Sequence, residues 1–193
     1  MVSYLQKLLF IALTIATAVP FSTSHRKRSR KSHGSNSGDN TEKYLRDLCS
    51  ETDRSDVCWN ILRSEVRRFD SGGDRDIAGG VIDLAIAKSK EIHGKLRKWH
   101  KDSDDKKLKE KYHLCSENYN DVFRDLKEAV KKLGSDDYRE ILDEIDDAED
   151  ELDECRQLFG SGSFDPGHVE DRNDELGVYL DVVRAAADRL GDQ

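Results

Sequence analysis

The stretch from Asp104 to Phe159, DDKKLKEKYHLCSENYNDVFRDLKEAVKKLGSDDYREILDEIDDAEDELDECRQLF, reads as two amphipathic helices joined at Gly134 and Ser135. In the first limb Leu108, Tyr112, Cys115, Tyr119, Val122, Leu126, Ala129 and Leu133 recur at alternating steps of four and three, which is one apolar stripe along a helix. In the second, Tyr138, Ile141, Ile145, Ala148, Leu152, Cys155 and Phe159 step by three and four, with charge around the rest of the circumference. When the limbs fold antiparallel about the turn, Cys115, twenty residues before Ser135, comes level with Cys155, twenty after it. Both thiols lie on the facing stripes, so the spacing predicts a disulfide across the hairpin.

Two further helices complete the pattern. Ala78, Ile82, Ala85, Ser89, Ile92, Leu96 and Trp99 mark one from about Asp74, after the break at Ser71-Gly72-Gly73. Gly79 and Gly80 near its start lower helix propensity, so that end is expected to fray or to admit a close neighbour. Leu176, Leu180, Val183, Ala187 and Leu190 mark the other, beyond a loop of about twelve residues containing Gly160-Ser161-Gly162-Ser163 and Asp165-Pro166-Gly167. The expected fold is therefore all-α, an up-down-up-down four-helix bundle over residues 74–190. Only two prolines and 7% aromatic residues, against 37% charged, suit narrow stripes between solvated faces better than a sheet sandwich.

Residues 41–70 form a smaller unit. Tyr44, Leu45 and Leu48 lead to Cys49, and Cys58 opens a second helical run through Leu62, Val66 and Phe69. With Cys115 assigned to Cys155, the remaining pair, Cys49 and Cys58, would clip two short helices into a hairpin. Trp59 is expected to cover that disulfide.

Residues 1–24 read as a secretory signal peptide. Lys7 precedes an apolar run from Leu8 to Val19, too short to span a bilayer, with small residues after it. Export to an oxidising compartment is what makes disulfides the expected state of four cysteines. Residues 25–40 carry Arg26, Lys27, Arg28, Arg30 and Lys31 in a polar, unpatterned context, which reads as a disordered solubilising tail capable of weak contact with a polyanion. Without residues 1–40, Lys and Arg number 26 against 39 Asp and Glu, a net charge of −13. So acidic a body excludes nucleic acid as the main partner and favours a basic protein.

The cysteine segments resemble a known family. Cys49-Ser50-Glu51-Thr52 through Cys58 has the Cys-x-x-Thr…Cys spacing of the plant invertase and pectin methylesterase inhibitor family. Leu114 to Val122 is similar to its Asp-Cys-x-Glu-x-Tyr-x-Asp-Ala-Val motif, and Asp147-Ala148 with Cys155 to Phe159 is similar to its Ser-Ala-Ala…Cys-x-Asp-Phe segment. The resemblance spans residues 41–190. Ser55 stands where the family has proline, and Leu114 where it has Asp. It implies a secreted, cell-wall protein with no chemistry of its own, inhibiting a carbohydrate-active enzyme in a one-to-one complex over the active-site cleft. Family inhibitors of acid invertase often carry Pro-Lys-Phe, absent here, where the prolines are Pro20 and Pro166. Pectin methylesterase is therefore the expected target, with acid invertase, or a structural or signalling role without inhibition, as alternatives. The chain runs out at Gln193 just after its last helix, as expected of a free-standing inhibitor.

The resemblance puts the contact face on the second and third long helices. Residues expected to be exposed there are Glu117, Asp121, Arg124 and Asp125, with Lys90, His93 and Arg97 on the preceding helix. His93 and the carboxylates titrate in the mildly acidic range, so the complex is expected to depend on pH. Neither a catalytic residue, a cofactor nor a metal is expected. Glu110 and His113 share a Glu-x-x-His spacing beside the stripe but no second pair occurs. The acidic run from Asp143 to Glu154 lacks a calcium-loop glycine and is threaded by Ile145, Ala148 and Leu152, which makes it a solvated helix face.

Overall fold

A computed structural model describes residues 36–69, 72–160 and 164–192, all within the unit His33–Gln193. The signal peptide assigned to residues 1–24 and the tail before Asn36 lie outside the described residues. Three short helices come first, α1 (Asn36–Cys49), α2 (Ser55–Leu62) and α3 (Val66–Phe69). Four long ones follow, α4 (Asp74–Asp102), α5 (Lys106–Gly134), α6 (Tyr138–Leu158) and α7 (Val169–Gly191). Each long helix packs on its neighbours in sequence and α7 closes back on α4, giving the up-down-up-down bundle.

The stripes make the core. Ile82, Ala85, Ile92 and Leu96 of α4, Cys115 to Ala129 of the α5 stripe, Ile141 to Cys155 of α6, and Leu176, Leu180, Val183 and Ala187 of α7 are all buried. Each fully buried aliphatic side chain contributes roughly 1.5–3 kcal/mol, so mutual burial rather than helix propensity holds these rods together. One polar bond crosses the centre. The Tyr119 hydroxyl donates to Asn173 Oδ1 at 2.8 Å, tying α5 to α7, and burial pushes its phenol far above the ordinary range.

The turns are fixed by side chains at their ends. Asp105 caps α5 by accepting from the Lys107 and Leu108 amides at 2.8 and 2.9 Å. After α5 the left-handed residue is Asp136, at φ 61°, rather than Gly134. Its carboxylate pairs with Arg75 and accepts from the Tyr138 hydroxyl at 2.8 Å, while Arg75 Nη2 also donates to the Leu133 carbonyl at 2.6 Å. A polar clamp from α4 thus supplies what a glycine would otherwise provide.

The N-terminal segment departs from expectation in two places. Helix α1 takes in residues 36–40, assigned above to the tail, since Asp39 complements the positive helix end and Thr41 is already buried. The second helical run divides into α2 and α3 at residues 63–65, where the Ser64 hydroxyl donates to the Ile61 carbonyl at 3.2 Å. That break carries Phe69 onto Gly80, where a Cβ would stand inside the Phe69 ring. The glycine pair therefore admits a close neighbour without fraying. Trp59, in turn, lies under the Arg46 guanidinium at 3.8 Å from its ring centre.

Both disulfides are closed, with Cα separations of 5.5 Å for Cys49–Cys58 and 4.8 Å for Cys115–Cys155. The first joins α1 to α2, and this hairpin is pinned to α7 by Arg54 on the Asp174 carbonyl and by Arg189 forked onto Glu51 at 2.6–3.1 Å. The second joins α5 to α6 across a sequence separation of 40. In the chain-entropy relation a loop of that size is worth about 4 kcal/mol, against about 2.7 kcal/mol for the shorter one. Replacing Cys115 and Cys155 together with Ala is expected to lower unfolding stability by up to that larger amount, read from the urea midpoint. A loss no larger than that of the Cys49/Cys58 double variant would contradict the assignment.

Candidate docking face

Helix α5 forms a ridge between two grooves, and the seven residues named from sequence divide between them. Toward α4 lie Lys90, His93, Arg97 and Glu117. The Lys90 ammonium sits 4.7 Å from the centre of the Phe123 ring, and Lys127 reaches the same ring at 5.0 Å. Burial and the nearby Arg97 push the His93 imidazole below its ordinary value, partly opposed by Glu117. His100 and His113 stack across the groove with ring centres 5.2 Å apart, beside a recess of about 230 Å³ lined by Arg97, Lys101 and Glu117.

Toward α6 the charge reverses. Asp121 and Asp125 face Asp147, Glu151 and Glu144; two cations stand among them, Arg124, bonded to Asp121 at 2.5 Å and to Asp125 at 3.3 Å, and Lys132, paired with Glu140 at 3.0 Å and acting on Glu144. Asn118 Nδ2 closes the groove further along, donating to the Glu151 carbonyl at 3.1 Å and to Glu154 at 3.2 Å. Between Asp136 and Glu154 there are twelve acidic residues and one basic one, so this flank is nearly uniform in sign.

Asp125 corrects the expectation of exposure. It is only 5% exposed, and its Oδ2 is buried with no hydrogen-bond partner. The cause is its place beside the buried Val122 and Leu126, on the side of α5 that faces Asp147 of α6. Removal from water raises its pKa, with Arg124 opposing and Asp147 and Asp121 adding to the rise. Glu144 and Glu151 are raised for the same first reason, and each feels Asp125.

Sequence reasoning missed Phe123, an aromatic outside the α5 stripe and clamped by two lysines, and the α6 carboxylates Glu144, Asp147 and Glu151 as part of the face. A phenylalanine off the stripe was the available signal for the first. Leu114, where the family has Asp, is 42% exposed. No group of three His, Cys, Asp or Glu able to hold a metal occurs among the described residues, and all four cysteines are in disulfides. The arrangement presents charge and shape to another macromolecule.

The raised carboxylates fix a sign. A group whose pKa is higher folded than unfolded contributes stability that is complete below the unfolded value and is lost as pH rises through the folded one. Stability should therefore grow on acidification from neutral pH toward the ordinary carboxylate range of about 4. Asp125→Asn is expected to raise the melting temperature at pH 7 and to flatten its rise as pH falls from 7 toward the ordinary carboxylate range of about 4. An unchanged profile would show that Asp125 is not the buried charge.

With this geometry in hand, comparison with known proteins is informative. The family model described as plant invertase/pectin methylesterase inhibitor matches residues 43–183. The pectinesterase inhibitor of Actinidia deliciosa is 26% identical over 149 residues, covering 76% of this chain and 78% of that protein. Crystal structures of a pectin methylesterase inhibitor from Arabidopsis share the fold. A mutant form A gives a TM-score of 0.67 at 19% identity over 75% of this chain and 95% of its own, and a second structure, from Arabidopsis thaliana, gives 0.58 at 19% over 77% and 96%. A match covering most of the disulfide-tied bundle establishes that this chain belongs to the plant invertase/pectin methylesterase inhibitor family.

Proposed function

We propose that this protein inhibits a pectin methylesterase in the cell wall by a non-covalent one-to-one complex that covers the enzyme's cleft. The observation that carries the reading is the docking ridge itself. Helix α5 and the acidic flank of α6 offer a disulfide-tied surface that is predominantly negative on its α6 side. Such a surface complements a basic enzyme, speeding encounter and disfavouring acidic proteins. Kinship with the Actinidia inhibitor names the class of target. The missing Pro-Lys-Phe sequence weighs against acid invertase. Residues 41–190 serve as the inhibitory domain in this reading, with secretion directed by residues 1–24.

On the ridge, Asp121 together with Glu151 and Glu154 meets cations at the enzyme's rim, while Arg124 stands at the crest, its side chain 62% exposed. Phe123, with Lys90 at its edge and His93, Arg97 and Glu117 beyond, provides the apolar and mixed-charge part of the contact. Asp125 acts beneath this surface and not as a contact.

Purified protein mixed with a plant pectin methylesterase is expected to stop methanol release at one equivalent while leaving sucrose hydrolysis by an acid invertase untouched. The double variant Asp121→Lys/Glu151→Lys should weaken inhibition by roughly tenfold or more, since losing one charge-assisted hydrogen bond costs about 1.5–3 kcal/mol. Its sensitivity to salt should fall in parallel. Inhibition of neither enzyme by a folded sample would overturn the proposal, and full potency of the double variant would move the contact off the acidic flank.

A further inference from the structure

The molecule has a second charged region, which meets the docking groove at Arg97 and Lys101 and extends past it across the α4–α5 turn. From Lys95 to Lys111, across the α4–α5 turn, there are eight Lys and Arg against four Asp and Glu, in a body whose net charge is otherwise strongly negative. Arg97, Lys98, Lys101, Lys106, Lys107 and Lys109 form no ion pair among the described residues, although the same chain pairs Lys88, Lys95, Arg124 and Arg184 with carboxylates. Of the acidic residues in the turn, Asp105 is engaged in capping α5 through the Lys107 and Leu108 amides. Cations left unpaired at one end of an acidic rod are a feature that folding does not require.

Aromatic surface accompanies the charge. Trp99, partly exposed and with the Arg172 guanidinium 5.3 Å from its ring centre, lies 5.5 Å from the buried Tyr112 and faces Gly167, whose missing Cβ leaves room for the indole. These side chains, with Leu108 and Pro166, line a recess of about 220 Å³. A second recess of about 210 Å³ adjoins it through Leu108 and is bounded by Lys107, Lys111 and Phe164. Phe164 is 77% exposed, the most exposed large apolar side chain among the described residues. Asp102 stands at the rim as a hydrogen-bond acceptor.

We propose that this end of the bundle binds a polyuronate, a run of unesterified uronic acid residues with one carboxylate on every ring. The apolar faces of pyranose rings match the aromatic recesses, the ring carboxylates match lysines spaced around them, and Asp102 accepts from ring hydroxyls. Nucleic acid fits less well. Its denser phosphates would run from this patch along a body that carries the opposite charge preference. The binding stands on these residues alone. Its meaning rests on the pectin methylesterase reading: hydrolysis of a pectin methyl ester releases methanol and a proton and leaves a carboxylate. The enzyme's product would thus hold the inhibitor where de-esterification has already occurred, through the residues around Trp99, Lys107 and Phe164 that lie beyond the docking groove.

The test is calorimetric titration of the purified protein with an unesterified oligogalacturonate of fixed length, its fully methyl-esterified counterpart, and single-stranded DNA of matched length. Saturable binding of the first, at least about tenfold tighter than of the other two, is expected, a factor corresponding to one charge-assisted contact. The variant Lys106→Glu/Lys107→Glu, both positions exposed at the start of α5 and neither lining the docking groove, should lose about tenfold in affinity while keeping its helical spectrum. Phe164→Ser should weaken binding without altering the salt dependence. Equal binding of esterified and unesterified chains, binding of DNA as tight as of the uronate, no binding at all, or undiminished binding by the double lysine variant would each overturn the proposal. Methanol-release inhibition by wild-type protein is measured on the same samples. Its absence alongside intact uronate binding would count against the enzyme target, and not against this site.

Discussion

Everything distinctive about this molecule follows from the bond between Cys115 and Cys155. Two helices whose Cα atoms are held 4.8 Å apart at one level cannot relax away from each other, whatever their charges do. Helix α6 has an acidic residue at nearly every position off its stripe, and α5 contributes Asp121 and Asp125 to the same side. Left to electrostatics, such a pair would separate. The covalent tie and the buried stripes overcome that repulsion, and the cost appears as a buried carboxylate oxygen without a partner and as carboxyl groups held above their ordinary pKa. An acidic surface that stays flat and rigid is the outcome, which suits a protein that works by occupying another protein's cleft.

Much of this was legible from residue spacing. Alternating steps of three and four located all four long helices, and the equal distances of two cysteines from one turn located the bond between them. What escaped were features decided by the distance between helices. Asp125 looks exposed from its own helix, because it lies one position off the stripe; only the close approach of α6 buries it. The break between α2 and α3 is similarly invisible to a periodicity that continues through Leu62, Val66 and Phe69, since its reason is the fit of Phe69 on Gly80 of another helix. The division of the seven candidate residues into a mixed α4 side and an acidic α6 side depends on which neighbour flanks each edge of α5, and a single stripe does not reveal that.

Family membership adds the biological frame and the structure adds polarity to it. A bundle with uniform charge would have one electrostatic partner. This one carries an acidic flank where α5 meets α6 and a basic, aromatic end at the α4–α5 turn, two surfaces that complement partners of opposite charge.

The central claim is that the disulfide-tied α5–α6 pair buries Asp125 and presents the carboxylates around it. Carbodiimide labelling of carboxyl groups, read residue by residue by mass spectrometry on the free protein and on its complex with a plant pectin methylesterase, tests it most directly. The account predicts that Asp125 stays unlabelled in the free protein while Asp121, Asp147, Glu151 and Glu154 react, and that these four become protected in the complex. Ready labelling of Asp125 in the free protein, or protection confined to Glu51 and Asp53 of the N-terminal hairpin, would contradict it.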